Sequence, residues 1–498
     1  MGKRMSYSDY NLNIKKIAIS IKNNTKLITT NRKGHNYRDL KFKKNQTRIE
    51  TGTLTNVLEI NDDYIDCESA VTIGKVNRST IPKKKMIPAL PEGDNFTVGG
   101  CLAGLGLGSS SYIYGFFNDN VIDFDIILGN GELIKDVSET NHSDLFYGIA
   151  GTYGTMGIIT RVKIKLITCK KFVKVNYHHY NSFENFYGEF SKMIKNKDDD
   201  FIEAFANKKN SYTIVSANFI KNVDQNKVAV IKDKDIMKQR NMTIYAQISN
   251  KKESCYLRLL DYLERYSYAA FWGHYLYTPY KKRDYLYAGL MYSLMPQEIL
   301  DSSPGHGRYN ISKYFHAANH IVGDYYRDEY VLATDIGVPL SKLKEAMDLA
   351  DKMTDTYPRW ICPIYDNYNP KKIFCTRKPE LCDDDIIFDL GIYGIKNTSK
   401  SSKEINQAFE KFSFEQGMFK GFFSTCYFTY EDFWNQFDKS KYDSLRMKYH
   451  AKDNFMNIFD KINYRNKTKK DNWRSKLFKL FGKKYLKHIN NNKEKLIQ

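Results

Sequence analysis

Thr97-Val98-Gly99-Gly100-Cys101-Leu102-Ala103-Gly104-Leu105-Gly106-Leu107-Gly108-Ser109-Ser110-Ser111 is the stretch on which the reading of this chain turns. Five glycines (99, 100, 104, 106, 108) followed by three serines describe backbone that approaches something closely. Glycine permits positive φ and has no side chain to hold a ligand off. Consecutive N–H groups and short hydroxyls suit a pyrophosphate. Two common phosphate loops do not fit. No Gly-Lys-Ser/Thr follows, which excludes a P-loop. The spacing 104-106-108 lacks the third glycine of Gly-x-Gly-x-x-Gly, and no strand leads directly into it. The plain alternative is a glycine-rich turn that binds nothing.

Outward from this segment the pattern alternates between helix and strand. Residues 14–24 read as a short amphipathic helix, and 26–30 as a strand before the basic loop Asn31-Arg32-Lys33-Gly34-His35-Asn36-Tyr37. Residues 58–60 and 64–67 read as strands joined by the Asn61-Asp62-Asp63 turn, and a helix opens at 72–77. Downstream, strand 121–128 turns through Gly129-Asn130-Gly131 into 132–135, the strongest short hairpin signal in the chain. A helical turn at 144–150 and Gly151-Thr152-Tyr153-Gly154-Thr155-Met156-Gly157 precede a strand with Ile158, Val162, Ile164 and Leu166 at even spacing. Near Lys170 glycine thins out and aromatics crowd in, which sets a domain boundary there. A second transition, near Tyr464, opens a lysine-rich tail.

The chain has 498 residues, 42% hydrophobic and 27% charged, an ordinary globular balance that excludes a disordered chain, a collagen and a disulfide mini-protein. With 77 Lys+Arg against 57 Asp+Glu the net charge is +20, which points to an anionic partner, although an Asn/Lys-rich composition accounts for part of it. Eight cysteines lie without CxxC pairs or zinc spacing, so no metal site is expected and the thiols read as reduced. No run approaches the ~18–20 apolar residues of a spanning helix. The start MGKRMSYSDYNLN lacks the apolar core of a secretory signal. The expected location is cytoplasmic, peripheral on the cytosolic face of a membrane.

Thr97-Val98-Gly99-Gly100, Gly106, Ser109, Tyr114-Gly115, Asn130-Gly131, Asp144-Leu145-Phe146-Tyr147, Gly151 and Gly157-Ile158-Ile159-Thr160 together resemble the FAD-binding domain of the vanillyl-alcohol oxidase (PCMH-type) flavoproteins. The match runs in order from residue 26 to 166. The second half resembles the Δ24-sterol reductase (Diminuto-like) branch of that family. It does so through Tyr357-Pro358-Arg359-Trp360, Phe388-Asp389-Leu390-Gly391-Ile392-Tyr393-Gly394, Cys426-Tyr427, Glu431-Asp432-Phe433-Trp434 and Lys441-Tyr442-Asp443-Ser444-Leu445-Arg446. The resemblance implies an α+β fold with a two-subdomain FAD-binding domain (1–169), an α/β cap or substrate domain whose end returns to the flavin domain (170–463), and a basic tail (464–498). It implies that FAD is held by Arg32, Gly34, His35, Thr97, Gly99, Gly100, Gly104, Gly106, Ser109, Ser110, Tyr114, Gly157, Ile158 and Ile159. It further implies NADPH as donor, flavin N5 as the source of hydride, and a sterol-like alkene as acceptor.

An isolated alkene accepts hydride poorly, so an acid beside a dry pocket must supply a proton. Asp389 and Tyr393 are the first candidates and Tyr427 the next. Their plain alternatives are a salt-bridged strand-end carboxylate and core tyrosines. Arg32-Lys33-Gly34-His35-Asn36 resembles the loop in which related oxidases attach FAD covalently through histidine. That keeps open an oxidase of an alcohol or sugar lactone, and a non-catalytic flavoprotein scaffold is a third reading. His316 and His320 have i, i+4 spacing without a metalloprotease glutamate, and His178-His179 reads as a polar pair without partners. The aromatic run 262–292 suits a core or the wall of an apolar channel. In the tail, residues 465–498 hold twelve Lys/Arg and two acidic residues. Drawn as a helix, Trp473, Leu477, Leu480 and Phe481 share one face, which suits an anionic membrane surface. No recognised module points to specific nucleic acid.

Overall fold

The computed structural model describes residues 7–30, 40–91, 93–229, 252–266, 331–374, 377–396, 398–422, 424 and 426–464. Period-two alternation builds two antiparallel sheets. The first has five strands: β1 (Val57–Ile60), β2 (Tyr64–Glu68), β3 (Val121–Ile127), β4 (Leu133–Ser138) and β5 (Ile158–Lys165), in the order β1-β2-β5-β3-β4. Asn61 closes the β1–β2 turn, its side-chain oxygen accepting from the N–H groups of Asp63 and Tyr64, each at 2.9 Å. Gly131 turns β3 into β4 with φ +84°, a conformation that favours glycine.

The second sheet has seven strands: β6 (Phe172–Tyr180), β7 (Phe201–Lys208), β8 (Ser211–Ile220), β9 (Ser254–Arg258), β10 (Val331–Pro339), β11 (Arg359–Tyr365) and β12 (Ile386–Ile395). Their order is β9-β6-β8-β7-β11-β12-β10. The side chains of Ile202, Ala204, Ile214, Ile361, Phe388 and Leu390 share a core with the helices Phe183–Asn196, Leu343–Met353 and Ser402–Glu415. The opposite face, with Tyr177, Val215, Phe205, Trp360 and Cys362, joins the core of the five-stranded sheet. Helices cover one side, and the other is turned toward the glycine-rich segment.

Both chain ends described here pack on the first sheet. The N-terminal helix runs Tyr7–Lys22, seven residues earlier than its apolar spacing suggests, because two tyrosine hydroxyls anchor its first turn. Tyr7 donates to Asp66 at 2.7 Å and Tyr10 to Asp125 at 2.9 Å. Those carboxylates belong to a buried cluster around Arg161, which reaches Asp66, Asp123, Asp125 and Asp136 at 2.6–2.9 Å. At the other end, the helices Lys439–Lys448 and Ile458–Ile462 return to this sheet. There Tyr442 donates to Thr155 Oγ1 at 3.0 Å, and a Cβ on Gly129 would stand 2.2 Å from His450 O.

His178-His179 departs from its sequence reading. His179 lies in β6 with Nδ1 3.0 Å from Thr213 Oγ1 and Nε2 3.2 Å from Lys252 O. Strand pairing supplied partners that the linear sequence does not display. The pair His316/His320 and the aromatic run beyond Tyr266 lie outside the described residues. Among the described residues no helix is long and apolar enough to cross a membrane, and no cysteine forms a disulfide.

Candidate functional site

Thr97 ends an extended stretch and caps the helix Val98–Gly104, its hydroxyl accepting from Gly100 N at 3.3 Å. Val98 N donates to Val71 O at 3.0 Å and Gly99 N to Ser69 O at 2.9 Å, which ties the helix start to the end of β2. Much of the backbone polarity here is therefore used within the protein, and the glycines divide into two kinds. Three are packing glycines. A Cβ on Gly99 would lie 2.8 Å from Ser69 Cβ, one on Gly106 would meet Pro91 at 2.8 Å, and one on Gly157 would strike Ile126 at 2.7 Å. Gly100 and Gly104 are different. A Cβ on Gly100 would meet only the Thr97 hydroxyl, at 2.9 Å, and one on Gly104 would rest on the Tyr153 ring at 3.4 Å.

Gly100 and Gly104 lie one turn apart on the same helix face. The 153–154 turn runs alongside, with Tyr153 N donating to Ala103 O at 2.9 Å and Tyr153 OH to Gly104 O at 3.2 Å. Gly154 has φ +73°, and a Cβ there would find only Lys461 Nζ, at 3.8 Å. The result is a strip of backbone that is bare at Gly100 and Gly154, bordered at Gly104 by the Tyr153 ring, with Lys461 at one end. Such a strip can receive a flat or phosphate-bearing group without steric penalty. The FAD expected from the sequence fits it.

The remaining sequence candidates fall on either side of this strip. Ser109 is buried; its hydroxyl accepts from Arg265 Nη2 at 3.1 Å, and its carbonyl accepts from Ile202 N at 2.8 Å. Ser110 donates to Pro88 O at 2.7 Å, so that hydroxyl braces the loop. Tyr114 is half-buried, its phenol pushed up first by burial and then by the charge of Asp200. Ile158 and Ile159 open β5 opposite Ile127 and Ile126 and are buried in the core. Arg32, Gly34 and His35 lie outside the described residues.

Asp389 stands within β12 rather than at a strand end, in register with Cys362 on the sheet face that joins the core of the five-stranded sheet. It is 6% exposed, and its Oδ2 has no hydrogen-bond partner. Burial raises its carboxyl to about 7. Tyr393 lies four residues along the same strand, hence on the same face, and packs against the core around the first sheet. Tyr427 is buried on another segment, its N–H donating to Glu410 Oε1 at 2.9 Å. Residues 418–428 link the two halves of the site: Phe422 packs on Tyr153 with ring centroids 6.0 Å apart, and Ser424 lies beside Asp335.

Two groups carried no sequence motif. Asp335 in β10 is fully buried and faces Asp389, and its carboxyl is pushed well up by burial and by that neighbour's charge. The one available signal was a lone aspartate inside the apolar run Leu332-Ala333-Thr334-Asp335-Ile336. Glu203 in β7 accepts from Arg265 at 2.9 Å, Tyr266 OH at 2.6 Å and Trp360 Nε1 at 2.9 Å. Its partners lie about sixty or more residues away in sequence, so spacing could not reveal it.

Comparison with known proteins finds a flavin-binding family in the first part of the chain and relatives along most of it. The family described as FAD binding domain matches residues 14–136. The Delta(24)-sterol reductase of Arabidopsis thaliana is 25% identical, covering 85% of this chain and 78% of its own length. The Delta(24)-sterol reductase homolog dhcr-24 of Caenorhabditis elegans is 27% identical, with 84% and 79% covered. The Delta(24)-sterol reductase of Homo sapiens is 25% identical, with 84% and 78% covered.

Proposed function

We propose that this FAD-linked oxidoreductase, with a PCMH-type flavin domain and a resemblance to Δ24-sterol reductases over most of its length, reduces a carbon–carbon double bond in a sterol or similarly hydrophobic substrate, with NADPH as electron donor. The observation that carries the reading is Asp389, a buried carboxyl on the sheet face that joins the core of the five-stranded sheet. Reduced flavin supplies hydride to one alkene carbon. The chain itself must then bring a proton to the other carbon and keep water out. A carboxyl held to about 7 by burial keeps its proton in about half of the molecules at neutral pH, where an ordinary carboxylate keeps almost none, as a general acid requires. Tyr393, on the same strand face, would orient the substrate or relay the proton, and Tyr427 would be a second hydroxyl for that role.

Gly100 and Gly104, with Tyr153 and Gly154 beside them, would hold the flavin nucleotide, and Thr97 fixes the helix that presents the first two. No Gly-x-Gly-x-x-Gly fingerprint occurs in the chain, so NADPH would dock in the flavin cleft and leave before the alkene enters. The lysine-rich residues 465–498 lie outside the described residues. Their charge suits an anionic membrane surface that delivers a lipid substrate. Flotation with anionic liposomes, for the whole chain and for one ending at 464, tests that: equal partition removes the tail from the reading.

The reaction is tested on purified, FAD-loaded protein under anaerobic conditions. Flavin bleaching by NADPH, followed by reoxidation when a Δ24-unsaturated sterol is added and recovery of the saturated product by mass spectrometry, is the expected result. Reoxidation by oxygen alone, with no alkene consumed, would move the assignment to an oxidase. Failure to take up FAD would favour the scaffold.

A further inference from the structure

Strands β10 and β12 pair in an unusual way at one point. Asp335 lies opposite Gly391, and Asp389 lies opposite Gly337. The four positions form a square on one sheet face in which each aspartate has a glycine as its cross-strand partner. The carboxylates are thus diagonal neighbours, at Cα separations of about 7–8 Å in such a pairing, with no side chain between them. A side chain at Gly337 would also strike Phe419 O at 2.8 Å, so that corner of the square stays empty. Both oxygens of Asp335 and Oδ2 of Asp389 lack hydrogen-bond partners within the protein.

The groups facing the pair offer little compensation. Cys362 lies across from Asp389 on β11, and Tyr393 lies four residues further along β12. Ser424 stands beside Asp335, and its hydroxyl, 3.2 Å from Gly421 O, is a neighbouring side-chain donor that favours the charged form of Asp335, an effect smaller than that of burial. Lys420 also acts on Asp335, yet its ammonium is ion-paired with Glu410 on the helix Ser402–Glu415 at 2.7 Å. Two adjacent buried carboxylates cannot both be charged here without a large desolvation and repulsion cost.

We infer that Asp335 is a positioning residue that keeps its own proton and donates it as a hydrogen bond to the carboxylate formed when Asp389 protonates the substrate. The inference rests on the alkene-reductase reading for its catalytic meaning, but the proton on Asp335 does not. In the catalytic step the Asp389 O–H bond breaks and a C–H bond forms at one alkene carbon. The second C–H bond would take the hydride that bound, reduced flavin would supply. The O–H electron pair stays on Asp389 as a carboxylate, which solvent later reprotonates. A neutral Asp335 lowers the energy of that carboxylate, whereas an ionised Asp335 would raise it.

The sign of one shift decides between these states. In FAD-loaded protein at pH 8, where surface carboxylates are ionised, the infrared difference between wild type and Asp335→Asn should contain one protonated-carboxyl C=O band. Asp335→Asn keeps a neutral donor, so titration of the Asp389 band should stay within a few tenths of a pH unit of wild type. Asp335→Leu removes the donor and should move that titration up by about one pH unit, with a matching move in the alkaline limb of alkene turnover. Absence of the band, or a downward shift in both variants, means that Asp335 is ionised and overturns the inference. Equal titration in all three proteins overturns it as well. The band and the upward shift in a wild type that reduces no alkene would leave the pair standing and sink the reductase reading instead.

Discussion

Arg265 donates from Nη2 to Ser109 Oγ at 3.1 Å and to Glu203 Oε1 at 2.9 Å, so a single guanidinium fastens the end of the glycine-rich segment to the central strand of the seven-stranded sheet. The Tyr262 hydroxyl, 3.4 Å from Ser109 Oγ, and the Tyr262 ring beneath the guanidinium complete the junction. The distance between the bare strip and the Asp389 face is set here, by fully buried polar contacts that tolerate little error.

Glu203→Ala should therefore be costly. It takes the carboxylate away from the Arg265 guanidinium, the Tyr266 hydroxyl and the Trp360 N–H in a buried site, and breaking a buried pair from one side costs about 3–5 kcal/mol. Glu203→Gln keeps the shape but turns an amide N–H toward donors, at a cost of about 1–3 kcal/mol. Urea unfolding of both variants should show that order.

Gly104 and Gly106, two residues apart, should respond in opposite ways. Gly106→Ala forces a methyl against Pro91 and Cys101 and should destabilise the fold by about 1–3 kcal/mol. Gly104→Ala meets the Tyr153 ring at an ordinary contact distance and should leave stability within about 0.5 kcal/mol. It should nevertheless weaken FAD binding, because the methyl presses on the Tyr153 ring that borders the strip. Thermal melting of the apoprotein and FAD titration by fluorescence separate the two effects.

Asp389 links activity and stability to pH with a definite sign. Its folded-state carboxyl is raised to about 7, so the folded protein keeps a proton that the unfolded chain has already shed. Its contribution to stability is present below the ordinary carboxylate range, falls as pH rises from about 4 to about 7, and is level above that. The loss amounts to about 1.4 kcal/mol per pH unit at most. Asp389→Asn should reduce the slope in denaturant titrations to the part that Asp335 contributes and abolish alkene turnover, while flavin reduction by NADPH continues.

Arg446 should matter for the flavin domain although it lies far along the chain. Its guanidinium is buried and donates to the carbonyls of Thr155, Ala451, Lys452 and Phe455 at 2.5–3.0 Å. Arg446→Ala leaves several carbonyls bare, each costing about 1–3 kcal/mol. Arg446→Lys should recover little, because an ammonium cannot span the same fan of acceptors. Melting temperature and FAD retention on a desalting column should fall together.

What the sequence disclosed follows from what each signal measures. The alternation at 158–166 and the Asn-Gly turn at 130–131 are local properties, and both elements stand within a residue or two of their expected limits. Gly106 and Gly157 looked like ligand-approach glycines, because a missing Cβ reads the same whether a cofactor or a neighbouring strand fills the space. The Ser110 hydroxyl, drawn toward a phosphate by its place in the motif, is bound to Pro88 O. Asp389 could be suspected from its motif. Asp335 could not, because its significance appears only once β10 and β12 are in register.

The return of Tyr442 and Arg446 to the 151–157 turn also governs how such a chain comes into being. The ribosome releases the first sheet hundreds of residues before the guanidinium that gathers the carbonyls around Thr155. Until then that turn has no Arg446 to organise it, and Lys461 is not yet at the end of the glycine strip. A flavin held on the strip as proposed would load after Arg446 and Lys461 have emerged rather than on emergence of the nucleotide-binding half. A truncated product ending before Tyr442 would lack that support, making the last helices a quality check on the whole chain.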